Sequence, residues 1–124
     1  MAQPIRVLIA DDSARTRQGL RVLFATWPEI TVVGEAADGQ EAMRLVAECQ
    51  PDVVLMDLHM PVLDGVQATQ LIKQQWPAVT VIVLTMYAVE QEAALAAGAD
   101  AFVIKGSAPE RLLTAMGVGA GVKS

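Results

Sequence analysis

Short, unbroken apolar runs alternate with amphipathic stretches five times along this chain, and four of the runs are closed by a polar side chain. VLIA is followed by Asp11 and Asp12, VVLM by Asp57, VIVL by Thr85, and AFVI by Lys105. Continuous Val/Ile/Leu runs of this length mark strands buried on both faces, which is the condition of a parallel sheet covered by helices. The pattern predicts strands at Ile5–Ala10, Thr31–Ala36, Val53–Met56, Val79–Leu84 and Ala101–Ile104. Between them it predicts helices at about Ala14–Trp27, Gln40–Cys49, Val66–Trp76, Glu90–Ala97 and Pro109–Met116.

Punctuation supports the alternation. Pro28, Pro51 and Pro77 each follow a helix and precede a strand, where a ring that cannot continue a helix does no harm. Gly98 sits just past the fourth helix, at a left-handed C-cap position. Regular βα alternation implies right-handed crossovers and helices on both sheet faces. The second strand, TVVGEA, is more polar than the others and reads as an edge. The fold class is therefore α/β, a doubly wound five-stranded parallel sheet of order 2-1-3-4-5, with 3-2-1-4-5 as the competing order.

Composition narrows the function classes. The chain has 124 residues, enough for one domain with a real core. Nine basic against fourteen acidic residues give a net charge of −5, with no basic run, so direct nucleic-acid contact is disfavoured. The N-terminus lacks the pattern of a signal peptide, and no apolar run approaches the roughly 18 residues of a membrane span. A single cysteine, Cys49, lies at helical spacing with Ala42, Leu45 and Val46 and reads as a packing residue in a reducing, cytoplasmic setting. The glycine-rich end GVGAGVKS divides the chain into a domain over 1–117 and a flexible tail or linker over 118–124.

In a parallel sheet, residues that end strands converge on one edge, the edge where open α/β sheets bind ligands. Three carboxylates, a hydroxyl and an ammonium collected there suit a divalent cation and a phosphoryl group. Magnesium fits, being a hard ion held by carboxylates, waters and phosphate oxygens. Zinc does not, because the sole cysteine and the sole histidine, His59, have no partners at ligand spacing. Asp57 is the candidate acceptor, since a carboxylate can itself attack phosphorus to form an acyl phosphate. Lys105 and Thr85 are placed to neutralise and hydrogen-bond the transferring oxygens.

The segments IADDS, VVLMDLHMPVLDG, VLTM and FVIK, in that order, resemble the response-regulator receiver domain of two-component signalling. The resemblance runs from about Ile5 to Met116 and is nearest to regulators of the NarL/FixJ helix-turn-helix type, notably in LTM and KGSAPERLL. It implies a flavodoxin-like fold and a phosphorylation-dependent switch rather than an enzyme with a separate substrate. It implies that Asp57 takes phosphate from a sensor histidine kinase while Asp11, Asp12, Asp57 and the backbone carbonyl of His59 bind magnesium. Thr85 and Lys105 would contact the phosphoryl group, and Phe102 matches the family's switch aromatic, which turns inward as Thr85 moves. Met60–Pro61 and Asp64–Gly65 match the turn after the acceptor, with Gly65 expected to relieve a strained φ. A homodimer, and a C-terminal DNA-binding domain outside this chain, are the partners that the resemblance adds.

Two features depart from the family pattern. Thr85 and Lys105 are 20 positions apart, whereas the family's segment is slightly longer, so helix 4 is expected to be short, shifted or loosely packed. Lys105 is followed by Gly106, where many receivers carry Pro. Met86, Tyr87 and His59 are expected to rim the phosphoryl site and slow attack by water. Two other readings share the fold: a receiver-like binding module that is not phosphorylated, and a small enzyme or flavin carrier. The second lacks a Gly-rich loop after strand 1, where Asp-Asp-Ser stands.

Overall fold

A computed structural model describes residues 3–117. Five parallel strands, β1 (Ile5–Ala10), β2 (Ile30–Ala36), β3 (Val53–Met56), β4 (Thr80–Thr85) and β5 (Ala101–Ile104), form one sheet in the order β2-β1-β3-β4-β5. The competing order is thereby excluded. Five helices link and follow the strands: α1 (Ala14–Ala25), α2 (Gly39–Cys49), α3 (Gly65–Gln75), α4 (Gln91–Ala96) and α5 (Pro109–Ala115).

The period-2 alternation of the strands divides the core into two layers. Val7, Ile9, Val53, Leu55, Ile82 and Leu84 face α1 and α5, where they meet Phe24, Leu112 and Met116. Leu8, Ala10, Val54, Met56 and Val81 face the opposite way, onto Ala42 and Val46 of α2 and Ala68 and Ile72 of α3. A smaller cluster of Leu58, Val83, Ala94 and Ala99 seats α4, with Phe102 packed against it. Burying a Leu, Ile or Phe stabilises the fold by about 1.5–3 kcal/mol per side chain. The sheet that carries the polar strand ends is thus held from both sides.

Element ends differ from expectation by a residue or two, for local reasons. α1 stops at Ala25 rather than Trp27, and α3 at Gln75 rather than Trp76. In both cases the tryptophan precedes a proline, whose ring disfavours helical backbone in the residue before it. α3 starts a residue early, at Gly65, because Asp64 caps it: its side chain accepts from Gln67 N while the Gln67 side chain accepts from Asp64 N. β4 runs one residue later than predicted, so Thr85 is inside the strand and pairs with Ile104. The short helix 4 is present as six residues, preceded by a 3₁₀ turn over Ala88–Glu90.

Glycine behaves as expected at one position and differently at another. Gly98 follows α4 with φ 104, a left-handed helix end. Gly65, however, has no positive φ; a Cβ there would lie 2.1 Å from the Asp57 carbonyl oxygen. Its need is close approach of α3 to the acceptor loop, and the positive φ in that loop belongs to Val62, at 71°. The Lys105–Gly106 peptide is trans, with Gly106 at φ 86. The predicted tail over 118–124 lies outside the described residues.

Candidate functional site

Hydrogen bonds that continue the sheet beyond its strands fix the backbone of the site. Asp11 N donates to Ala36 O (3.0 Å), Asp57 N to Ala10 O (2.9 Å) and Lys105 N to Thr85 O (2.8 Å). The three side chains therefore leave the same sheet edge, from the neighbouring strands β1 and β3 and from β5 beyond β4. Carboxylate oxygens of Asp11, Asp12 and Asp57 all lie within 4.8 Å of one another. Asp11 and Asp57 are buried and Asp12 is exposed, so the group has a floor and an opening to solvent.

Asp11 is oriented by two donors: Ser13 N on Oδ1 at 2.9 Å and Lys105 Nζ on Oδ2 at 2.8 Å. The same ammonium lies 3.6 Å from Asp57 Oδ1. Ser13 is also the N-cap of α1, accepting from Thr16 N, so the turn that starts the helix aims the acidic pair. Burial and the nearby Asp11 charge push the Asp57 carboxyl above its ordinary range, against the opposing pull of Lys105 and the His59 backbone N–H. Burial alone would lower the Lys105 ammonium, but its hydrogen bond to Asp11 and the charges of Asp57 and Asp11 outweigh that and raise it. One cation thus faces three anions, an arrangement that favours a second cation. The all-oxygen donor set and the solvent-facing side suit a hard divalent ion.

Thr85, 1% exposed, ends β4 at the same edge. Its hydroxyl donates to Glu90 Oε1 at 2.6 Å and accepts from Tyr87 N at 3.3 Å. The other Glu90 oxygen lies 2.6 Å from His59 Nε2. His59 and Tyr87 meet edge to face, with ring centres 5.6 Å apart. Met86 lines a groove of about 390 Å³ between α1 and α5, beside Leu20, Leu84 and Lys105. Phe102 is half-buried, one face on the α4 cluster and the rest lining a groove with Gln91 and Arg111.

Two features of the neighbourhood, an arginine pair and a glutamate, have no prominence in the sequence. Arg17 donates to the Asp11 carbonyl at 2.6 Å and to Glu35 Oε1 at 3.0 Å, and Arg21 binds the other Glu35 oxygen. The i, i+4 spacing of Arg17 and Arg21 is the sole signal that they share a helix face. Glu90 is the second, and only the folded 3₁₀ turn brings it to Thr85.

A family model described as the response regulator receiver domain matches residues 7–117. The chain belongs to the response-regulator receiver family. This receiver is 49% identical over 111 residues, 88% of its length, to the transcriptional regulatory protein YhcZ of Bacillus subtilis, covering 52% of that protein. It spans about half the length of the curated relatives it matches. Among solved structures, a LuxR-family two-component response regulator from Aurantimonas is 38% identical with a TM-score of 0.84, over 90% of the receiver and 81% of that chain. A CheX–CheY complex with BeF3 and magnesium from Borrelia burgdorferi is 28% identical with a TM-score of 0.84, over 98% of the receiver and 91% of that chain. The receiver's relatives are signalling and transcription regulators, and among the described residues no helix is long and apolar enough to cross a membrane.

Proposed function

We propose that this receiver is a phosphorylation-dependent switch whose acceptor is Asp57. The observation that carries the reading is the Asp57 carboxyl, buried, with Lys105 Nζ at 3.6 Å and the oxygens of Asp11 and Asp12 within 4.8 Å. An Asp57 oxygen attacks the phosphorus of a phosphohistidine on a sensor kinase; the new P–O bond forms as the P–N bond breaks, and the imidazole leaves. Lys105 faces the charge gathering on the phosphoryl oxygens, and the Thr85 hydroxyl, at the same sheet edge, is the donor that would hydrogen-bond them. Asp11, Asp12, Asp57 and the His59 carbonyl would hold magnesium. The chemistry supplied by that ion is neutralisation of charge on the phosphoryl oxygens.

The product state differs from the resting state in the contacts of Thr85 and Lys105, and that difference is what biases the fold toward an output conformation. Movement of Thr85 frees space that half-buried Phe102 can enter. The output is control of a partner surface, a homodimer or a C-terminal DNA-binding domain in the full-length regulator, acting in the cytoplasm. The name of the Bacillus subtilis relative, a transcriptional regulatory protein of which this receiver covers about half, supports the last of these.

The test is incubation with acetyl phosphate and magnesium, read by intact mass. Wild type should gain the mass of one phosphoryl group and Asp57→Asn none. An adduct on both proteins, or on neither, rejects Asp57 as the acceptor.

A further inference from the structure

Glu90 joins the two loops that flank the acceptor. Each of its carboxylate oxygens has one partner at 2.6 Å: the Thr85 hydroxyl at the end of β4, and Nε2 of His59 in the loop after β3. The Thr85 hydroxyl carries one proton, and Glu90 receives it. The hydroxyl's acceptor side takes Tyr87 N–H. While this arrangement persists, Thr85 cannot donate to a phosphoryl oxygen on Asp57.

The backbone makes the bridge hard to lose by drift. Glu90 ends the 3₁₀ turn Ala88–Glu90, closed by Glu90 N to Tyr87 O at 3.0 Å, and α4 follows at once. With only 20 positions from Thr85 to Lys105, this stretch has little slack. His59 follows the acceptor by two residues, and its backbone N–H favours the charged form of the Asp57 carboxyl. Thr85 is buried and Glu90's side chain is 22% exposed, so the bond between them is only partly screened by water.

We propose that Glu90 is a positioning residue that withholds the Thr85 hydroxyl from the phosphoryl site and yields it on phosphorylation. This rests on Asp57 being the acceptor. A phosphoryl group on Asp57 brings negative charge to the same hydroxyl that Glu90 holds. The two anions compete for one proton donor and repel each other, so occupancy of one site disfavours the other. Release frees both Thr85 and His59, which loosens the 3₁₀ turn and the start of α4. The bridge therefore couples the chemistry to the segment next to Phe102, and it sets the energy that phosphorylation must overcome.

Beryllofluoride, titrated with magnesium present into wild type, Glu90→Ala, Glu90→Gln, Thr85→Ala and the Thr85→Ala/Glu90→Ala double variant, tests the gate. Glu90→Ala should bind more tightly by on the order of tenfold, the scale of one charge-assisted hydrogen bond. Glu90→Gln, which keeps an acceptor for Thr85 without the charge, should fall between. In the Thr85→Ala background most of the gain should vanish. Equal or weaker binding by both Glu90 variants overturns the gate, as does a gain undiminished without the Thr85 hydroxyl. Wild type that takes up no beryllofluoride sinks the acceptor reading and the gate together, whereas normal uptake with unchanged affinity in the variants sinks the gate alone.

Discussion

Asp57 is held in a charged form that its surroundings disfavour. Burial and the Asp11 charge raise its pKa, so the folded protein binds a proton there more tightly than the unfolded chain does. Ionised Asp57 therefore costs stability at neutral pH, and the cost fades as pH falls through the folded pKa toward the unfolded one. Asp57→Asn should raise the unfolding midpoint of the metal-free protein at pH 7 by about 3–5 °C. The gain should shrink as the buffer is acidified below the folded-state pKa, which thermal melts across pH will read; a gain that grows on acidification contradicts the assignment. Each strand-end residue was legible in the sequence because an apolar run announced it. The partner that holds Thr85 was not legible: Glu90 follows no run and sits on no stripe, and its role depends on how a 3₁₀ turn folds.

Among the elements, β2 shows what periodicity cannot supply. Between Val7 and Leu8 the β1–β2 register shifts, so Val7 pairs with Val32 but Leu8 with Gly34. The extra residue on β2 places Glu35 opposite Ile9, on the α1 face, where a regular register would send it to the other side. There its carboxyl is held below the usual carboxylate range, by its hydrogen bond with Arg21 against the penalty of burial, helped by Arg17. Arg17 reaches on to the Asp11 carbonyl, so this edge-strand glutamate braces the turn that carries the acidic pair. A depressed carboxylate pKa adds stability above the unfolded value and loses it as pH falls through the folded one. Glu35→Gln should cost about 1 kcal/mol at pH 7, given half-buried partners. Denaturant titrations of the two proteins should converge once the pH is below the folded pKa of Glu35; a constant gap would mean that the ion pairs contribute nothing. Strands and helices themselves were readable, with helix ends displaced where caps or prolines decide and strand ends by a residue.

At the scale of the whole molecule, strand order followed from polarity: the runs buried on both faces became the centre and the more polar TVVGEA the edge. What composition cannot encode is a balance of charges across strands far apart in sequence, here Asp11, Asp12 and Asp57 against Lys105. That balance couples the site to the stability of the entire fold. The folded chain brings the three carboxylates within 4.8 Å, and the unfolded chain does not. A divalent ion bound only by the folded form stabilises it by RT ln(1 + [L]/Kd). Magnesium at ten times its dissociation constant should therefore add about 1.4 kcal/mol, raising the unfolding midpoint by several degrees. Sodium chloride at equal ionic strength should not reproduce the rise, since screening lacks the site's geometry. Asp12→Asn removes the exposed wall of the site while leaving the core and the Lys105 bridge to Asp11 intact. It should fold normally, yet need more magnesium for the same rise. A magnesium response identical in wild type and Asp12→Asn would mean that the ion acts elsewhere, and would detach the acidic group from metal binding.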